Sequence, residues 1–111
     1  MTLQAELQQY YGTESYHRLT MTPIIATDGV LAFAQKGKAF WAVDEMCITA
    51  MKLKEPFLFI SIASTGKKAT ITYEDGNCNQ LKQVKIPRTD LEKGTYTFYI
   101  TDNVIMLNSE Y

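Results

Sequence analysis

A chain of 111 residues with 46% hydrophobic and 21% charged side chains has the make-up of one globular domain, expected over residues 1–111. That composition excludes an intrinsically disordered chain, which lacks the apolar residues that offset the entropy of ordering. Eleven basic against twelve acidic residues leave a net charge of −1, evenly divided between the two halves, which argues against nucleic acid, whose phosphates select a basic surplus.

The first helix is expected just after Thr2, a good N-cap, with Leu3, Leu7, Tyr10 and Tyr11 on one stripe and Gly12 as its stop. Tyr16 to Met21 reads as extended, and Thr22 before Pro23 is held extended because proline disfavours the α region for its predecessor. Thr27-Asp28-Gly29-Val30 opens a second helix, with Thr27 as cap, Asp28 at the positive end of the dipole and Gly37 as the end. A third helix spans about residues 39–52. Its apolar residues Phe40, Trp41, Val43, Met46, Cys47, Ile48, Ala50 and Met51 wrap more than one stripe, so it is expected to be the most buried helix. Lys54-Glu55-Pro56 ends it.

After Pro56 the pattern changes to strands. Residues 57–63 are apolar on both pleat faces, as in a central strand. Residues 68–74 alternate, with Ala69, Ile71 and Tyr73 inward. Asp75-Gly76-Asn77 is a hairpin turn signal, and the opposite parity of Leu81 to Val84 and Ile86 predicts a β-bulge near Lys82-Gln83. Asp102-Asn103, a pair that tolerates positive φ, predicts a two-residue hairpin between residues 95–101 and 104–107. That hairpin sets Ile100 against Ile105 and Phe98 against Leu107 on one face, and Thr101 against Val104 and Tyr99 against Met106 on the other. The expected fold is α+β: N-terminal helices packed on one face of a mainly antiparallel sheet of about five or six strands.

Gly12-Thr13-Glu14-Ser15-Tyr16-His17-Arg18 resembles the G-T-E-x-Y stretch of a family of small uncharacterised bacterial proteins often carried by phages and plasmids. Thr27-Asp28-Gly29-Val30, residues 39–44 (A-F-W-A-V-D), residues 73–77 (Y-E-D-G-N) and the C-terminal Asn108-Ser109-Glu110-Tyr111 match it in the same order. The resemblance implies a compact intracellular protein, and it implies neither an activity nor catalytic residues. A mobile-element setting, if shared, implies a partner among host or defence proteins.

No catalytic constellation stands out. His17 is the only histidine, and its ordinary role is a surface or sheet-edge residue. A Cys–His pair would need Cys47 or Cys78 beside it, which no spacing requires. Three Cys and His residues in total, widely spaced, fall short of the four ligands of structural zinc, so neither a metal nor a cofactor is expected. Thr65-Gly66-Lys67-Lys68 lacks the earlier glycine and the following helix of a phosphate loop. Asp44 is less ordinary, because on a largely apolar helix its carboxylate is expected to be buried and hydrogen-bonded, with Arg18, Tyr16 or a backbone N–H as partner.

Two functional readings follow. The first is a non-enzymatic module that binds a protein partner or self-associates, using some of the seven tyrosines, which a core this small cannot all bury. The alternative is a small-ligand-binding protein or weak enzyme with a cleft formed by Tyr16, His17, Trp41 and Asp44. Nucleic-acid binding would require Lys67, Lys68, Lys82, Lys85 and Arg88 on one continuous face. No run approaches the roughly 18 apolar residues of a membrane span, and residues 1–6 lack the regions of a signal peptide. The expected location is the cytoplasm, with reduced cysteines.

Overall fold

The computed structural model describes residues 2–10, 12 and 15–110. Tyr11 of the expected first helix, Thr13 and Glu14 of the G-T-E-x-Y stretch, and the terminal Tyr111 lie outside the described residues. Among those described, three α-helices pack on a six-stranded, mostly antiparallel sheet, the α+β arrangement that the patterning predicts.

Helix α1 (Leu3–Leu7) starts at Thr2, whose side chain accepts a hydrogen bond from Ala5 N at 3.1 Å. It ends a turn earlier than its apolar stripe suggests. Gln9 N and Tyr10 N donate to carbonyls only three residues back, the tighter 3₁₀ pattern in which a helix unwinds. Only Leu3 and Leu7 anchor it in the core, and one buried turn does not propagate a helix. The stretch from Tyr16 is not continuously extended either. His17 forms one antiparallel bridge with Ala26, after which residues 20–23 bend, with the Thr20 and Thr22 hydroxyls 2.6 Å apart.

Strand β1 (Ile25–Ala26) was not evident in the pattern, being only two residues long. Helix α2 (Asp28–Lys36) begins at Thr27, whose side chain accepts from Val30 N, and ends at Gly37. Helix α3 (Phe40–Leu53) ends at Lys54, which adopts a left-handed conformation and donates its N–H to Ala50 O at 3.1 Å.

The remaining strands are β2 (Phe57–Ser64), β3 (Ala69–Glu74), β4 (Gln80–Ile86), β5 (Gly94–Thr101) and β6 (Val104–Leu107), in the order β1-β6-β5-β2-β3-β4. β2 is central, as its two apolar faces predict, and β1 pairs with β6 in parallel. The β5–β6 hairpin has the expected register at all four pairs, and Asp102 and Asn103 both take positive φ (52° and 60°), as a type I′ turn requires. The bulge in β4 falls at Leu81, one residue before the expected place: Tyr73 faces Lys82 while Glu74 faces Gln80. The β3–β4 turn also differs in detail. Cys78 rather than Gly76 adopts positive φ, because the Asp75 carboxylate organises the loop by accepting from Asn77 N, Asn79 N and Asn79 Nδ2. Those bonds hold the Asp75 carboxyl below its ordinary 3.8.

Leu58, Ile60 and Ile62, Ile71 and Tyr73, Phe98 and Ile100, and Ile105 and Leu107 form the buried sheet face under the helices. Phe33 of α2 seats on β5, 5.0 Å from the Phe98 ring edge-on and 5.5 Å from Tyr96. Burial of one such ring stabilises the fold by roughly 2–3 kcal/mol. On the opposite face Phe57, Phe59 and Tyr99 make a half-buried ring cluster, with centroids 5.2–5.3 Å from Tyr99.

Candidate functional site

Two places combine chemistry-bearing residues: the start of α2 and the outer side of α3.

At the start of α2, motifs far apart in the chain meet. The Glu110 carboxylate accepts from the Thr27 hydroxyl at 2.6 Å, from Gly29 N at 3.1 Å and from Leu107 N at 3.0 Å. A carboxylate there satisfies orphan N–H groups and meets the positive end of the helix dipole. Gly29 is what admits it, because a Cβ at that position would lie 2.5 Å from Glu110 Oε1 and 2.6 Å from Leu107 Cδ1. Asp28, on the first turn, pairs with His17 Nε2 at 2.8 Å. Ser109 Oγ donates to Tyr10 O. The T-D-G-V and N-S-E-Y motifs are therefore two halves of one junction, with His17 docked on it beside the β1 edge of the sheet. Its hydrogen bonds hold the fold together; chemically it is a latch.

Helix α3 presents a different surface. It buries Ala42, Val43, Met46, Cys47, Thr49 and Ala50, six of its 14 residues, whereas α2 buries five of its 9, so the expectation that this is the most buried helix is corrected. Phe40, Ile48 and Met51 are 45%, 44% and 43% exposed. Together with half-buried Trp41 they share one side of the helix at 3.6-residue spacing. The reason is the number of layers: one sheet covers one side of the helix, and among the described residues no further element covers the other. Met21 is 97% exposed. Its neighbours Thr20 and Thr22 hydrogen-bond the Cys47 side chain, which holds the 20–22 bend against α3.

Of the four residues expected to form a cleft, Trp41 and Asp44 share helix α3, and Tyr16 and His17 lie on the segment before β1. Tyr16 is 57% exposed, His17 pairs with Asp28, and Trp41 belongs to the exposed side of α3. Asp44 is also exposed there, which corrects its expected burial in a polar network. The cavities that open at the α1–β5 contact, at the C-terminal end of α3 and between Glu6 and Asp90 are lined by other residues. The second of these, about 430 Å³, lies between Met51, Pro56 and the β5–β6 turn.

Cys47 is buried, which pushes its thiol up to about 11 despite the Thr20 and Thr22 hydrogen bonds that lower it. It therefore supplies no thiolate at neutral pH. Among the described residues no three His, Cys, Asp or Glu side chains group closely enough to hold a metal ion, and no helix is long and apolar enough to cross a membrane.

The five cations that a nucleic-acid face would need do not form one continuous set. Thr89 N bonds Lys67 O at 2.9 Å and Lys85 faces Thr70, which brings Lys67, Lys68, Lys85 and Arg88 to one end of the sheet. Lys82 stands opposite Tyr73, further along β4. Of the tyrosines, Tyr73 and Tyr96 are buried, Tyr10 and Tyr99 are half-buried, and Tyr16 is exposed.

Sequence reasoning missed Glu110, Phe40, Ile48, Met51 and Met21 as site residues. The helical spacing of Phe40, Asp44 and Ile48 was a readable signal for a shared face. Nothing local announced that Glu110 reaches back to Thr27.

A protein-family model described as "Family of unknown function (DUF6876)" matches residues 1–111, and the chain belongs to that family. Comparison with the curated proteins and with the solved structures found no match.

Proposed function

We propose that this family member is a non-enzymatic interaction module that docks a protein on the outer side of α3. One observation carries the reading: Phe40, Ile48 and Met51 stay 45%, 44% and 43% exposed on one side of a helix, with charged Asp44 between Phe40 and Ile48, while the residues of its other side are buried. Apolar surface of that kind is stabilised by roughly 25 cal/mol for each Å² that a partner covers, and large apolar side chains left exposed together on one face and flanked by polar residues mark interaction sites. Aromatic residues and Met are enriched in such surfaces, and Trp41, Phe40, Met51 and Met21 are of those types. The latch at α2 supports the same reading, since its carboxylate and imidazole are engaged in holding the fold. The alternative cleft of Tyr16, His17, Trp41 and Asp44 has no corresponding observation in its favour. A phage or plasmid setting, which the motif resemblance implies, would supply host or defence proteins as candidate partners.

The test compares tagged wild-type chain with the double variant Phe40→Ser, Ile48→Ser, each mixed with untagged chain and host lysate. The expected result is one stoichiometric protein, a second copy or another chain, retained by the wild type and lost by the variant, whose circular dichroism spectrum is unchanged. Equal retention by both, or retention by neither, overturns the reading.

A further inference from the structure

The occupant of the α3 surface follows from its charges. Asp44, Ile48 and Lys52 lie at i, i+4 and i+8, one row along the exposed side of the helix. The row is acidic at one end, apolar at its centre and basic at the other. Neither Asp44 nor Lys52 has an ion pair within the chain among the described residues. Glu45 lies beside Asp44, and just beyond the helix Lys54 and Glu55 offset each other, so the two ends keep their signs. Such a pattern is self-complementary under a two-fold axis through Ile48. With two α3 helices antiparallel, residue 48+n of one lies level with residue 48−n of the other. Ile48 then meets Ile48 of the second copy, and Asp44 lies level with its Lys52, twice over by symmetry. Met51 falls opposite Glu45, leaving its thioether over that residue's apolar stem. A parallel arrangement would instead set Asp44 against Asp44 and Lys52 against Lys52.

We propose that the partner docked on α3 is a second copy of this chain, in an isologous antiparallel α3–α3 dimer. This rests on the reading of α3 as the interaction surface and adds the identity of what covers it. Isologous contacts demand that one patch complement itself, and i±4 rows of two helices interdigitate in the commonest helix-packing class. Like-charge pairs at the same level disfavour the parallel register and wrong partners.

The experiment is light scattering and native mass spectrometry on the purified chain alone, for wild type, Asp44→Lys, Lys52→Asp, the double swap, and an equimolar mixture of the two single swaps. The wild type is expected to be dimeric. Each single swap sets like charges opposite each other at two symmetric places and is expected to weaken the dimer roughly tenfold or more. The double swap restores the homodimer, and the mixture yields a heterodimer in preference to either homodimer. Both positions are exposed, and unchanged circular dichroism spectra show that the fold is intact, since loss of a dimer lowers Tm by itself. A dimer indifferent to these swaps overturns the proposal. A wild-type monomer whose α3 surface still retains a different protein from lysate overturns the second copy but leaves the interaction surface standing. A monomer that retains nothing overturns both.

Discussion

The junction at the start of α2 and the outer side of α3 both combine polar and apolar residues around a helix, yet they use them in opposite ways. At the junction, Thr27, Asp28, Gly29, His17 and Glu110 turn their polar groups towards each other until the helix end is capped. On α3, Phe40, Ile48, Met51, Asp44 and Lys52 turn away from the fold. Polar atoms buried without partners are costly, so a motif that converges on a helix terminus is explained by stability alone. Exposed apolar side chains contribute nothing to the isolated fold, so their arrangement needs a second surface to give it a role. A motif residue is therefore assigned by where its side chain ends, and not by how distinctive its sequence context is.

The widest separation between the two kinds of surface is expected within α3 itself. Met46→Ala empties a fully buried site and is expected to cost about 3 kcal/mol, whereas Ile48→Ser, compared at a protein concentration low enough to keep the chain monomeric, is expected to change stability by no more than about 0.5 kcal/mol. Denaturant unfolding of both variants checks this, and similar losses would show that the outer side of α3 is part of the core.

Gly29→Ala comes next. Alanine gains up to about 1 kcal/mol of helix propensity, but its Cβ displaces a carboxylate held by three hydrogen bonds and presses on Leu107. Overpacking costs about 1–3 kcal/mol and loss of a cap about 1 kcal/mol, so a net loss of about 2 kcal/mol is expected as a lowered Tm. A neutral or stabilising result would mean that the latch yields easily.

Glu110→Ala removes the same cap without adding bulk. A loss of about 1 kcal/mol is expected in denaturant titration, with α3-dependent association unchanged. A loss of association instead would join the two regions into one surface.

A further effect is confined to high pH. The folded Cys47 thiol ionises near 11 and the unfolded one near 9.0, so between those values the unfolded state has released a proton that the folded state keeps. Stability is thus fully present below pH 9 and is lost as pH rises through about 11. Cys47→Ala is expected to flatten the fall of the unfolding midpoint with pH over that window, while an identical slope would show that the thiol is not shielded in solution.

Local chemistry carried much of the fold. Asp102-Asn103 named a two-residue turn, and the alternation on either side then set every pair of the β5–β6 hairpin. Thr2 and Thr27 named helix starts, and the two-sided apolar run of residues 57–63 named a central strand. These features depend on neighbours along the chain, whose geometry follows from backbone sterics and the pleat. What did not follow were contacts between residues distant in sequence. Glu110 caps a helix 81 residues before it, and β1 exists only because two residues find β6. The side of α3 that stays in water was hidden for the same reason. A helix with apolar residues on more than one stripe reads as the most buried one until the number of layers around it is known, and two layers suffice to cover only one of its sides.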